Sequence, residues 1–209
     1  MNNKNNTSKD FLTHIDTRFS ITAFIALVAA VLCMVAAFTL PESYGGKNSV
    51  PEYLQLALLA LGCLLSFRAP VNKTFYVFVG FLLLFLLLRE INYGRTLPCF
   101  ADPDNPERFK KWKEIPYGWL AHPLVGLYLA ALLAFFLCKK LYKTLWELIS
   151  NTRIPAWETA IVLIAAACAQ LTERLVHNDF LEEFFELTFY SALMCLIWRY
   201  SRGKYSTCA

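Results

Sequence analysis

Six apolar stretches recur along the chain, roughly Ile21–Leu40, Pro51–Phe67, Thr74–Glu90, Leu120–Cys138, Trp157–His177 and Leu181–Trp198. Each approaches the ~20 residues that a helix needs to cross a bilayer. The second and third are short and need polar ends to complete a span. The sixth reaches spanning length only if its helix begins near Leu181, which places Glu183 and Glu186 inside the helix. Breakers fall between the stretches. Pro41 and Gly45-Gly46 end the first, Pro51 opens the second and Pro70 follows it, and Pro155 opens the fifth. Asn178-Asp179 leaves only a very short turn before the sixth, so the last two helices should be antiparallel neighbours. The pattern predicts an all-α polytopic membrane protein: a cytoplasmic N-terminal segment over 1–20, a six-helix transmembrane bundle over 21–198, and a cytoplasmic tail over 199–209. One long outer loop spans 91–121.

Two shorter amphipathic segments flank the bundle. Phe11, Ile15 and Phe19 recur at helical spacing and predict an interfacial helix before the first span. Leu141, Leu145 and Leu148 share one face and predict a helical extension of the fourth span into the cytoplasm.

Composition supports the membrane reading: 57% of the 209 residues are hydrophobic and 17% are charged. Ile21–Leu40 is too long for the core of a cleavable signal and reads as an anchor that stays. With the N-terminus inside, the inner face carries twelve basic and four acidic residues, and the outer face the remaining eight basic and twelve acidic. The positive-inside rule therefore places both termini in the cytoplasm, consistent with a bacterial inner membrane. The basic inner loops are short and explained by topology, so nucleic-acid binding is not expected. The seven cysteines suggest no disulfide framework: five lie in or at the end of apolar segments, Cys208 is in the tail and Cys99 alone lies in the outer loop.

The charges that interrupt the apolar runs are the candidate chemistry. A charge at membrane depth costs about 2.5–3.5 kcal/mol or more, so it marks a functional position by default. In the fifth stretch Gln170, Glu173, Arg174 and His177 follow i, i+3, i+4, i+7, and in the sixth Glu183, Glu186 and Tyr190 follow i, i+3, i+7. The third ends in Arg89-Glu90 before Asn92 and Tyr93, and His122 opens the fourth. The pattern predicts a polar cavity walled by spans three to six at their outer ends. Glu90, His122, Glu173, His177 and Glu183 are its candidate catalytic residues, as general bases, proton shuttles or ligands. Arg89, Tyr93, Arg95, Arg174, Glu186 and Tyr190 are candidates to bind substrate, with the arginines holding an anionic group. Four carboxylates side by side at low dielectric call for arginine, a proton or a cation. A divalent metal on His122, Glu173, His177 and Glu183 is one form this takes, and an Arg–Glu–His network tying helix ends together is the plainer one.

The outer loop carries Pro98, Pro103, Pro106 and Pro116. Asn105-Pro106-Glu107 predicts the start of a short helix bearing Arg108, Lys110, Lys111 and Lys113, with Trp112, Tyr117 and Trp119 as interfacial aromatics. It reads either as a lid that recruits an anionic lipid or small anion, or as a helix that seals the bundle. No Gly-rich phosphate loop, G-x-S-x-G elbow or HExxH motif occurs.

Three features taken together, Arg89-Glu90-Ile91-Asn92-Tyr93-Gly94-Arg95, His122, and Glu182-Glu183 followed by Glu186-Leu187, resemble an uncharacterised class of small bacterial multi-pass inner-membrane proteins. The resemblance implies that Glu90, His122 and Glu183 belong to one site; it implies no activity. Three functions are compatible with these residues: a membrane-embedded enzyme or binder acting on a lipid or small anionic ligand, a small proton-coupled transporter, and a non-enzymatic assembly subunit whose charges form a structural network.

Overall fold

The computed structural model describes residues 15–41, 49–94, 101–102, 105–176 and 178–203. The fold is all-α apart from two minimal sheets. In chain order the elements are β1 (Ile15–Asp16), α1 (Ile21–Thr39), α2 (Val50–Phe67), α3 (Lys73–Glu90), β2 (Ala101–Asp102), β3 (Asn105–Phe109), α4 (Ala121–Cys138), α5 (Leu141–Asn151), β4 (Ile154–Pro155), α6 (Ala156–Leu171) and α7 (Asp179–Ser201). Side chains at three helix starts explain where the chain turns. Ser20 Oγ accepts from the Ala23 N–H at 3.0 Å, Ser49 Oγ from Glu52 at 3.5 Å, and Asn178 Oδ1 from Leu181 at 3.1 Å. Each satisfies a backbone donor that the first helical turn leaves free.

α7 is the hub. It packs against α6, α1 and α2, and each apolar cluster of the core includes it. Phe184 and Leu187 meet Cys33 of α1, Ala192 meets Ala26 of α1, and Tyr190, Met194 and Ile197 meet Leu59 and Cys63 of α2 and Leu83 of α3. Gly62 sets how closely α2 approaches, because a Cβ there would lie 2.5 Å from Met194 Sδ. Gly80 does the same for α3, where a Cβ would lie 2.7 Å from the Phe67 ring.

α4 is the outlier. It leans on α3 through Phe78 against Phe135 and Phe136, and through Tyr128, which stacks on Phe85 and donates to the Phe81 carbonyl at 2.8 Å. Leu132 is its one buried residue among those described, and Leu124, Leu127, Leu129, Leu133 and Leu137 are all exposed. α1 is similarly apolar on its outward side, with Phe24, Val31, Leu32 and Phe38 exposed. Three helical segments, Ile21–Thr39, Val50–Phe67 and Gly118–Cys138, are long and apolar enough to cross a membrane.

Four expectations need correction. Ile15 and Asp16 are not helical: they form β1, parallel to Ile154–Pro155, because Asp16 is drawn into an ion pair described below; Phe11 lies outside the described residues. Asn105–Phe109 is a strand antiparallel to Ala101–Asp102, not a helix, and two single 3-10 turns follow, at Trp112–Glu114 and Gly118–Leu120. The stretch is too short, and carries too few apolar residues, to sustain a helix. α5 is not a continuation of α4, since Lys140 turns left-handed (φ 53°) between them. The fifth stretch is α-helical only to Leu171 and ends in a π turn, Thr172–Val176. Glu173 stays beside Gln170 across the start of this turn, and both are exposed.

Candidate functional site

The start of α2, the end of α3 and the start of α7 converge, and their polar side chains meet there. On α7, positions 183, 186 and 190 form one face. Tyr190 is buried, and its hydroxyl donates to Glu90 Oε1 at 2.7 Å. Glu186 pairs with Arg89 at a long 3.9 Å, and the arginine side chain is 55% exposed. Glu183 is held by Gln55 of α2, whose Nε2 donates to Glu183 Oε2 at 2.8 Å and to the Glu183 carbonyl at 2.9 Å. Both partners are acceptors, so the amide orientation follows from its hydrogen bonds. Gln55 is 0% exposed, and its Oε1 has no hydrogen-bond partner among the described residues. Glu52, one turn before Gln55, adds a further carboxylate whose charge acts on Glu183.

The cluster therefore holds Glu90, Glu183 and Glu186 against one half-exposed guanidinium. Its surplus is negative, and its one buried unpartnered atom is an acceptor. Such a site favours a cation rich in N–H donors over an anion.

Not all expected members gather here. Glu90, Glu183, Glu186, Tyr190 and Arg89 do. Glu173 and Arg174 are exposed on the π turn, and Glu173 accepts a hydrogen bond from Gln170 at 3.3 Å. His122 is exposed and meets Trp112 edge-on with ring centres 6.4 Å apart; no hydrogen bond joins it to Glu90 or Glu183. Tyr93 packs on Phe85 in a left-handed backbone conformation (φ 53°). Arg95 and His177 lie outside the described residues. The predicted cavity between spans three to six is thus replaced by a cluster between the second, third and sixth stretches, because α4 leans on α3 without entering it; Glu173, exposed on the π turn, still acts through its charge on Arg89 at the rim. Among the described residues, no three His, Cys, Asp or Glu side chains are grouped to hold a metal.

A second charged cluster lies at the opposite end of α7. Arg199 donates from Nη2 to Asp16 Oδ2 at 2.8 Å and from Nη1 to Glu158 Oε1 at 3.0 Å. Glu158 Oε1 also accepts from Ser20 Oγ at 2.7 Å and Thr22 Oγ1 at 2.6 Å. Glu158 is 0% exposed, Asp16 is buried, and the neighbouring Trp157 donates to the Thr17 carbonyl at 3.0 Å. The chain before α1 is thereby fastened to the start of α6 and the end of α7.

Reasoning from sequence missed Gln55 and the role of this second cluster. Gln55 had a signal: it is the lone amide in the apolar run from Leu54 to Leu65, and a polar group at that depth needs a partner. Asp16, Glu158 and Arg199 looked like ordinary flanking charges, and nothing in their spacing reveals that they meet.

No family model matches the chain, and no curated protein or solved structure matches it.

Proposed function

We propose that this chain is a six-span membrane protein, both termini cytoplasmic, that binds a cationic group at the outer end of its bundle through Glu90, Glu183 and Glu186. The observation that carries the reading is Gln55. It is fully buried, its amide nitrogen donates to both the side chain and the carbonyl of Glu183, and its own oxygen lacks a donor among the described residues. A buried amide oxygen without a partner costs about 1–3 kcal/mol, so the site gains by receiving a donor there.

The membrane reading draws support from the exposed apolar surfaces of α1 and α4, which suit hydrocarbon better than water. Alternating spans would put residues 52–55, 89–90 and 183–190 at one side and residues 16, 158 and 199 at the other. These are the two groups that meet.

A lipid-directed enzyme draws less support, because His122 makes no hydrogen bond to the carboxylates and packs on Trp112 instead. A proton-coupled carrier also draws less, because apolar side chains of α1, α2 and α3 pack α7 between its charged ends.

The test uses the full chain purified in detergent. Ethylammonium chloride should raise its unfolding temperature saturably above an equal concentration of sodium chloride, and Glu186→Gln and Glu183→Gln should each remove most of that rise. Equal responses to the two salts would refute the cation site. For topology, single cysteines replacing Trp119 and Trp146 in a cysteine-free background should react with an impermeant thiol reagent at position 119 only; reaction at 146 in intact cells would refute the arrangement.

A further inference from the structure

Building on the cation-site reading, we infer that the ligand is a phospholipid with a primary ammonium headgroup, phosphatidylethanolamine, its ammonium among Glu183, Glu186 and Gln55 Oε1, its phosphate on Arg89 and one acyl chain between α1, α2 and α7.

The chemistry of the cluster selects the headgroup. Its groups are mostly acceptors: three half-buried carboxylates and the fully buried oxygen of Gln55, whose amide hydrogens are already committed to Glu183. A primary ammonium brings three N–H donors to such a set. A quaternary ammonium brings none and is recognised by aromatic faces instead. The aromatic side chain at the cluster, Tyr190, is buried with its hydroxyl turned to Glu90.

Arg89 stands at the rim. Its ion pair to Glu186 is 3.9 Å long and its side chain is more than half exposed, so its planar fork is available to a phosphate beside the ammonium. Cation and anion sites side by side match a zwitterion better than a simple amine.

The third part is an apolar groove of about 340 Å³ between α1, α2 and α7. Leu32, Ala36, Leu54, Phe184 and Leu187 are among its walls. It lies at the same level of the bundle as the headgroup site, with walls from the same first turns of α2 and α7: Leu54 precedes Gln55 and Phe184 follows Glu183. Exposed Leu32 and Leu40 open it to the surroundings of the bundle, so a chain seated there continues into the bilayer.

The experiment compares phosphatidylethanolamine, phosphatidylcholine of identical acyl chains, soluble phosphoethanolamine and ethylammonium on the detergent-purified full chain, by retained lipid in native mass spectrometry and by unfolding temperature. Retention of phosphatidylethanolamine over phosphatidylcholine by about tenfold is expected. Arg89→Gln and the groove-filling Ala36→Trp remove contacts to the phosphate and the acyl chain that both lipids share, so each should lower lipid retention while the ethylammonium response persists, and Leu54→Phe serves as a milder groove variant if Ala36→Trp fails to fold. Glu186→Gln should abolish both. Equal retention of the two lipids, with the ethylammonium response intact, overturns the lipid inference and leaves the cation site standing. Stabilisation by phosphoethanolamine as strong as by the lipid also overturns it, in favour of a soluble ligand. Loss of every amine response overturns both.

Discussion

The two ends of α7 hold charge in opposite ways. At the C-terminal end, Arg199 sits between Asp16 and Glu158 at 2.8 and 3.0 Å, and two hydroxyls complete Glu158 Oε1. These contacts are short and buried, and those to Glu158 all converge on Oε1; Glu158 Oε2 has no partner among the described residues. At the N-terminal end, Glu90, Glu183 and Glu186 share one guanidinium at 3.9 Å, and a buried amide oxygen has no donor. Roughly 24 Å of helix separates Glu183 from Arg199. The same helix and chemical alphabet thus give a closed fastening at one end and an open demand at the other. Each end keeps one buried acceptor without a donor among the described residues, Glu158 Oε2 at one and Gln55 Oε1 at the other; what separates them is the tightness of the ion pairs and the exposure of the arginine, 11% at Arg199 and 55% at Arg89.

Variants at the closed end should have the largest effects. Arg199→Met strands two buried carboxylates and should cost about 3–5 kcal/mol, seen as a large fall in unfolding temperature or loss of folded protein. Removing the whole network sharpens the point: Asp16→Leu with Glu158→Met and Arg199→Met should recover most of that loss, because buried ion networks replaced by apolar groups are often near neutral. No recovery would mean the network does more than fasten helices.

Next comes the contact between the two ends. Gly62→Ala drives a methyl against the flexible Sδ and Cε end of Met194 where α2 meets α7, and should cost about 1 kcal/mol in thermal unfolding as Met194 turns aside. A loss of several kcal/mol would show that Met194 has no room to move and that this contact fixes the approach of α2 to the hub.

Smaller effects belong to the open end. Glu186→Gln removes one of several like charges and should change stability by no more than about 1 kcal/mol, in the stabilising direction. Glu173→Gln, on the exposed π turn, should stay within about 0.5 kcal/mol of wild type. Its ethylammonium response should also be closer to wild type than that of Glu186→Gln. A Glu173 variant that loses the response would return this residue to the site.

The helices were largely legible in the sequence, because hydrophobic runs and their breakers report local structure directly. Ser20, Ser49, Pro51 and Asn178 stand at real helix starts. Glu183 and Glu186 fall inside α7, as the length of the last run required. Which helices touch was not legible. Spacing placed Glu173 on a shared face with Gln170, and the two do meet at 3.3 Å, but that face is exposed. His122 was grouped with Glu90, but α4 leans on α3 without entering the cluster. Gln55 was passed over as one polar residue in an apolar run, although its partner is 128 positions away. Ile15 and Phe19 suggested helical spacing, but a long-range ion pair at Asp16 and pairing with Ile154 won over local preference.

The most direct measurement sets one carboxylate from each end against the other: thermal unfolding of Glu158→Gln and Glu183→Gln in the same detergent. Glu158→Gln removes a charge matched by Arg199 and leaves a new buried amide, so it should unfold several degrees below wild type. Glu183→Gln keeps an acceptor for Gln55 and lowers the surplus of negative charge, so it should unfold at or above the wild-type temperature. A fall in Glu183→Gln as deep as that in Glu158→Gln would mean that both ends are structural, and would contradict the distinction on which the proposed site rests.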